Sequence, residues 1–565
     1  MRVIISFKND STDVVDVLEE SRKLFCQHFQ ELSRIEDVIR FLKGDEENLI
    51  TMIIEDNHVD RQYRDSYYTC FSQKYSLFEK NCVRLVFFQG KVSDSDFMKS
   101  DLGETEKKLI GTMVLRPLTV GNIGLTLLDP HKTKLKGYVQ TCKFKVMICG
   151  RKFTIRSFPY LSQDNETMTC AETALFDLIQ YYSEKYSEYR VVMPSEILKE
   201  VEDASYQRVL PSLGLDDAQM AKVLQVGNFS PVLYSYEDVP EKFEQLFYCY
   251  VESGIPFILE LPEHSVVCIG HGEIDFNLCC HCISELVEHR ELDAMDYCYL
   301  NTASLINGYI FMDDNRTPYW KDSINNLTSF YYENIENNPQ SDEKDHIIDS
   351  ETVYALKIDY DAMLVPLYKR IFLDADRAKV IFDQLFLENA EFITEIQKAY
   401  SDFDWGTNPE NPLVWRMYLA ASNSYKDFRC KTTKSKNLYK YYSTESYPRF
   451  IWILEIGTLS TYQKKQSRVE IILDATSSVN SYTWALLSIR YKNHLVFVPS
   501  VKKEFLIKCN DPNFIKKNPN FDNSLENFPK YIFNALYRRG DSNNQEFDFV
   551  EDVYDAFIHS NLKEI

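Results

Sequence analysis

The 565-residue sequence predicts an α+β protein built in three parts. Helical stripes and short apolar runs of strand length are interspersed along the chain, and 44% of its residues are hydrophobic. An Asn/Asp/Ser-rich stretch at 321–350 interrupts the pattern. Because this length exceeds one ordinary compact domain, four segments are expected: an N-terminal α/β domain (1–150), a central domain (151–325), a polar linker (326–350) and a C-terminal mixed α/β domain (351–565).

The elements follow in order. A polar helical stretch at 11–45 precedes strands at 82–88, 108–118, 123–128 and 138–149. Helices followed by paired strands fill 158–320. Beyond the linker we expect a strand at 352–358, helices at 374–400 and 413–424, and strands at 449–456, 468–476 and 494–500, then a polar tail.

Sixty-three Lys and Arg against 85 Asp and Glu leave a formal charge of −22, which repels phosphate backbones and anionic lipid. Neither nucleic acid nor membrane is an expected partner. The start MRVIISFKND has no signal-peptide pattern, and no apolar stretch reaches membrane-spanning length. Fourteen cysteines without framework spacing predict reduced thiols and a cytoplasmic protein. Oligomeric state is not readable from these residues.

The chemistry concentrates in 158–182, FPYLSQDNETMTCAETALFDLIQYY. Thr169 and Glu172 have capping-box spacing, which makes Cys170 the first residue of a helix. Ala171, Ala174, Leu175, Leu178, Ile179 and Tyr182 form its apolar stripe, with Glu172, Thr173, Asp177 and Gln180 opposite. Cys170 then lies at the edge of the buried face, where the positive end of the helix favours the nucleophilic thiolate. Ninety-four residues later, after a helix stop at Gly254 and a strand at 257–261, His264 opens the strand HSVVCIGH. Its run Val266, Val267, Cys268, Ile269 fits a strand buried on both faces. His271, at the far end of that strand, competes with His264.

The next apolar strand, NGYIFM, ends in Asp313 and Asp314. Either carboxylate suits the role of orienting the histidine, and we favour Asp313. Gln163, seven positions before the cysteine, supplies an amide N–H for an oxyanion. Asp164, Asn165 and Thr173 read as turn and helix-surface groups.

Glutamine, cysteine at a helix start, histidine opening a strand and an acid closing the next resemble the papain-like cysteine peptidase fold over 158–320. SGIPFILELPEHSVVCIGH is most similar to the bacteriocin-processing, double-glycine peptidase-like proteins of bacteria. The resemblance implies a thiol-dependent hydrolase of peptide or isopeptide bonds, with Cys170 as nucleophile, His264 as base, Asp313 or Asp314 as orienter and Gln163 as oxyanion donor. It implies a peptide or protein substrate and no cofactor. The same triad also serves a deamidase or acyltransferase, and the same scaffold a non-catalytic interaction module. Ala171 stands where the family commonly has glycine, and six residues separate Gln163 from Cys170.

Other patterns carry less. Cys279 and Cys282 form one CxxC with His281 inside and His289 and Cys298 beyond, one pair where zinc usually takes two, so no metal site is expected. DNHVDRQYRDSYY (56–68) reads as a helix face with Asp60–Arg64 and Arg61–Asp65 pairs. Arg416 and Glu455, on otherwise apolar elements, suggest a buried ion pair. No P-loop, dinucleotide fingerprint, HExxH or GxSxG occurs.

Overall fold

The computed structural model describes residues 2–276, 287–322 and 362–491, with short interruptions, and 494–497, 554–555 and 562–564. The fold is α+β. Strands β1 (Arg2–Lys8), β2 (Leu49–His58), β3 (Cys82–Gln89), β4 (Leu109–Leu115) and β5 (Ile123–Leu128) form an antiparallel sheet in chain order. Between them lie α1 (Ser11–Leu24), α2 (Leu32–Phe41), α3 (Arg61–Thr69), α4 (Asp94–Met98) and α5 (Gly103–Lys108).

Next come β6 (Tyr138–Gln140), the hairpin β7 (Cys142–Ile148) and β8 (Arg151–Ser157), α6 (Cys170–Lys185), α7 (Pro194–Glu202), α8 (Asp217–Val226), β9 (Phe229–Ser235), α9 (Phe243–Glu252), β10 (Phe257–Leu261) and β11 (His264–His271). The later strands are β12 (Glu288–Leu292), β13 (Met295–Asn301), β14 (Tyr309–Met312), β15 (Trp320–Asp322), β16 (Ala362–Tyr368), β17 (Leu413–Ala421), β18 (Phe450–Thr458), β19 (Gln466–Ser467), β20 (Val469–Asp474), β21 (Leu486–Tyr491), β22 (His494–Phe497), β23 (Tyr554–Asp555) and β24 (Leu562–Glu564).

A central sheet runs β15-β14-β11-β10-β16-β9, with β6 also on β11 and β24 on β6. A third sheet runs β12-β13-β17-β18-β20-β21-β22. All eight residues of β11 are buried and its side chains alternate. Val267 and Ile269 enter a core shared with the N-terminal sheet and α6, and Val266 and Cys268 a core shared with the third sheet. This double burial is why the sequence shows an unbroken apolar run there.

Several elements differ from expectation. Residues 413–421 form a central strand, not a helix, because LVWRMYLAA is buried between two layers, and such a run carries no distinguishing period. The expected strand at 138–149 is two, β6 and β7, on different sheets. Of the expected helix at 374–400, Ala375–Phe382 is α-helical and Asp383–Leu387 continues as a π-helical turn, while most of 388–399 lies outside the described residues. The polar face expected on α6 is buried too, since Glu172, Thr173 and Asp177 are at most 2% exposed. On α3, Asp60 caps the helix through the Tyr63 N–H at 2.7 Å, and Arg64 turns to Asn81 at 2.6 Å. The expected boundary at 150/151 falls within the β7–β8 hairpin, and β16, from beyond the expected linker, lies between β10 and β9. The strand expected at 352–358, nearly all of 321–350 and most of the tail lie outside the described residues. Among the described residues, no helix is long and apolar enough to cross a membrane.

A buried ionic network joins the central and third sheets. Arg416 donates to Glu252 of α9 at 2.8 Å and to Glu455 at 2.9 Å. Arg429 reaches Glu455 at 3.3 Å and pairs with Glu470. His271 Nε2 lies 3.2 Å from Glu252, so this histidine is committed to the network. Burial opposes ionisation of Glu252, but the Arg416 charge and the His271 bond outweigh it and push its pKa down to about 2. Because that value is depressed, the stability it contributes is present above the unfolded pKa of about 4.3 and is lost as pH falls toward 2. Arg416→Met removes the cation shared by two buried carboxylates and should cost about 3–5 kcal/mol in denaturant unfolding. Glu252→Gln should show a shallower loss of stability between pH 4.5 and 2 than the wild type; an unchanged acid limb would refute this account.

Candidate active site

The approach to Cys170 is organised by two buried charges. Arg116, just past the end of β4, is fully buried and donates to the Ser162 carbonyl at 2.6 Å, with its Nη1 4.0 Å from the Asp164 carboxylate. Asp164 accepts from the backbone N–H groups of Glu166, Thr167 and Met168 at 2.9, 2.7 and 3.0 Å, and from the Thr167 hydroxyl at 2.6 Å. One carboxylate thereby gathers the donors of a whole loop. Gly121, at φ +67°, passes so close that a Cβ would lie 1.9 Å from the Gln163 carbonyl oxygen. From α3, Ser66 meets the Thr167 hydroxyl at 3.1 Å, and Gln62 donates to the Met168 sulfur at 3.3 Å. The 56–68 motif therefore buttresses this loop.

The loop delivers Thr169 as N-cap, with its N–H donating to Glu172 at 3.0 Å, and Cys170 opens α6, half-buried. α6 packs across β11, and the β10–β11 hairpin pairs Leu261 with His264. His264 is 6% exposed, and the Cys170 side chain is near enough to act on its ring. Its Nε2 lies 3.1 Å from Asp313 Oδ1 and 3.6 Å from Asp314 Oδ1. With Nε2 given to the acids, Nδ1 is the ring atom left for the thiol.

The two aspartates differ in environment. Asp313 is fully buried and its Oδ1 also accepts from the Asn315 N–H at 2.9 Å. Both carboxyl oxygens of Asp314 are buried without a hydrogen-bond partner among the described residues, and it is the backbone carbonyl of this residue that Arg34 and Tyr160 bind. Burial, reinforced by the Asp313 charge, pushes Asp314 up to about 7 against the pull of His264 and Arg34. Burial also raises Asp177, further along α6, well above the usual carboxylate range. Burial alone disfavours an imidazolium at His264; the Asp313 bond, the neighbouring Cys170 side chain and the charges of both aspartates outweigh it and raise its pKa well above the ordinary value.

Gln163 lies beside the same turn, its amide donating to the Asn315 side chain at 3.1 Å. A primary amide has two N–H donors, and this bond uses one. The structure thus brings Cys170, His264, Asp313 and Asp314 together, with Gln163 linked to the turn that carries the acids. Ligand atoms of His264, Asp313 and Asp314 lie within 4.8 Å of one another, a set that could also hold a cation. Residues 277–286, with Cys279, His281 and Cys282, lie outside the described residues. No family model matches the chain, and no curated protein matches it in sequence.

Sequence reasoning passed over Arg116 and the buried role of Asp164. The only local signal was a cation at the end of an apolar strand, directly before Pro117.

Three outcomes follow for this geometry. Asp164→Ala leaves Arg116 without its buried counter-charge and should destabilise by about 3–5 kcal/mol in chemical denaturation. Asp313→Ala should lower the His264 pKa, read by NMR of the ring; an unmoved titration would refute the pairing. Asp314 has a raised folded pKa, so it subtracts stability progressively as pH rises from about 4 to about 7. Asp314→Asn should therefore gain stability over the wild type across that window.

Proposed function

We propose that the protein is a thiol-dependent hydrolase of peptide or isopeptide bonds, working through Cys170, His264 and Asp313 on a papain-like arrangement. One observation carries the reading: a cysteine at a helix N-terminus stands beside a buried histidine whose Nε2 lies 3.1 Å from a buried aspartate. His264 takes the Cys170 proton and becomes an imidazolium, which Asp313 stabilises. The sulfur attacks the carbonyl carbon, and the carbonyl π electrons move to oxygen. That oxyanion is met by an unpaired N–H of the first turn of α6 and by the second N–H of Gln163. Collapse expels the amine, which takes the proton from His264. Water, deprotonated by the same ring, then releases the acid and restores the thiol.

The other cysteines offer a background against which this is testable. Burial pushes Cys142 and Cys249 up to about 12, and raises Cys82 and Cys268 as well. Such thiols react slowly. Brief treatment with iodoacetamide at neutral pH, followed by peptide mass spectrometry, should find Cys170 labelled first. His264→Ala should slow that labelling about 100-fold or more, and Cys170→Ala should abolish acyl-enzyme formation with activated peptide esters. Labelling spread evenly over exposed thiols and indifferent to His264 would exclude the enzyme. It would favour a non-catalytic scaffold, a reading to which the engaged amide of Gln163 lends support.

A further inference from the structure

A cleft of about 170 Å³ opens at the far end of α6 from Cys170, where the central and third sheets meet. The helix has 16 residues, so at 1.5 Å per residue the cleft is roughly 24 Å from the thiol. Tyr182, Tyr186 and Tyr189 line it from the α6 side, and Tyr368 and Phe450 from the strands β16 and β18. Cavities of roughly 150 Å³ take up one benzene ring, so this volume suits a single six-membered ring. Aromatic walls suit its edge-to-face or offset packing.

The same cleft carries one cation and one anion. Arg449 Nη2 lies 2.9 Å from Glu188 Oε1, and Arg449 Nη1 donates to the Tyr368 hydroxyl at 2.8 Å. The Arg449 guanidinium lies 4.7 Å from the centroid of the Tyr368 ring and 5.4 Å from that of Phe450. The Arg449 and Glu188 side chains are 50% and 40% exposed, so their mutual bond is solvent-screened and opens at little cost. A simple aromatic anion would face repulsion from Glu188, and a simple aromatic amine repulsion from Arg449. A molecule bearing a carboxylate and an ammonium on one carbon, with a ring one carbon away, satisfies both charges and fills the aromatic space.

We propose that this cleft binds a free α-amino acid with a single-ring side chain: the ring among the tyrosines, the carboxylate on Arg449 and the ammonium on Glu188. Binding here is independent of any reaction at Cys170, so the two readings stand or fall separately.

Calorimetric titration of the full-length protein with L-phenylalanine tests this, with N-acetyl-L-phenylalanine and phenethylamine as probes lacking one charge each. One-to-one binding is expected with a dissociation constant of about 1 mM or tighter for so small a ligand. Both probes should bind at least tenfold more weakly. Arg449→Ala and Glu188→Gln, at half-exposed positions whose folding is checked by circular dichroism, should each weaken phenylalanine binding tenfold or more. No binding up to about 10 mM, equal binding of the acetylated probe, or unchanged affinity in both variants would overturn the proposal. Repeating the titration on Cys170→Ala separates it from the triad, since affinity there should equal that of the wild type.

Discussion

The packing of α6 across β11 is the contact on which the candidate site depends. Cys170 and His264 are separated by 94 residues and are each the first residue of their element. Closing a loop of that length costs about 4 kcal/mol of chain entropy. Leu175, Leu178, Val267 and Ile269 meet in one core and are at most 1% exposed. At about 1.5–3 kcal/mol for each buried side chain, this interface alone outweighs the closure. Cys170 and His264 inherit their proximity from this apolar packing.

Charge imposes the second constraint. Two adjacent carboxyls in a dry environment cannot both ionise cheaply. Asp313 has His264 and the Asn315 N–H as donors, whereas among the described residues the carboxyl of Asp314 has none. Burial and the Asp313 charge accordingly push the Asp314 carboxyl up to about 7. The turn is held in place by a different means: Arg34, from α2, grips the Asp314 backbone carbonyl, and Tyr160 bonds the Arg316 carbonyl at 2.6 Å. Backbone anchoring leaves both carboxyls within 3.6 Å of the imidazole, with Asp313 also accepting from the Asn315 N–H.

These facts explain what was legible in the sequence. Cys170 and His264 sit on local signals, a capping box in one case and a turn before a buried strand in the other, and local signals survive in a single sequence. The choice between Asp313 and Asp314 was not legible, because β14 ends at Met312 and both acids lie on a turn where strand alternation no longer applies. Arg116, Arg34 and the α3 residues Gln62 and Ser66 act across tens to hundreds of residues, and no periodicity encodes such pairings. The strand at 413–421 has no legible period for a related reason. Burial on both faces erases the polar residues that would have marked its period.

The same double burial governs how the chain is partitioned. β11 has an apolar neighbour on each face, and the sheet containing it is completed by β16, which follows the expected linker, while β13, from the segment between the histidine and the acids, pairs in parallel with β17 of the third sheet. A segment cut at 151–325 would lose the strand between β10 and β9 and expose Leu259 and Phe257, whose core includes Met363 and Val365 of β16. It would also strand Glu252 and His271 without Arg416. The central unit thus needs the third sheet to bury both its apolar face and its charges, and the candidate chemistry belongs to the interleaved chain rather than to a detachable segment.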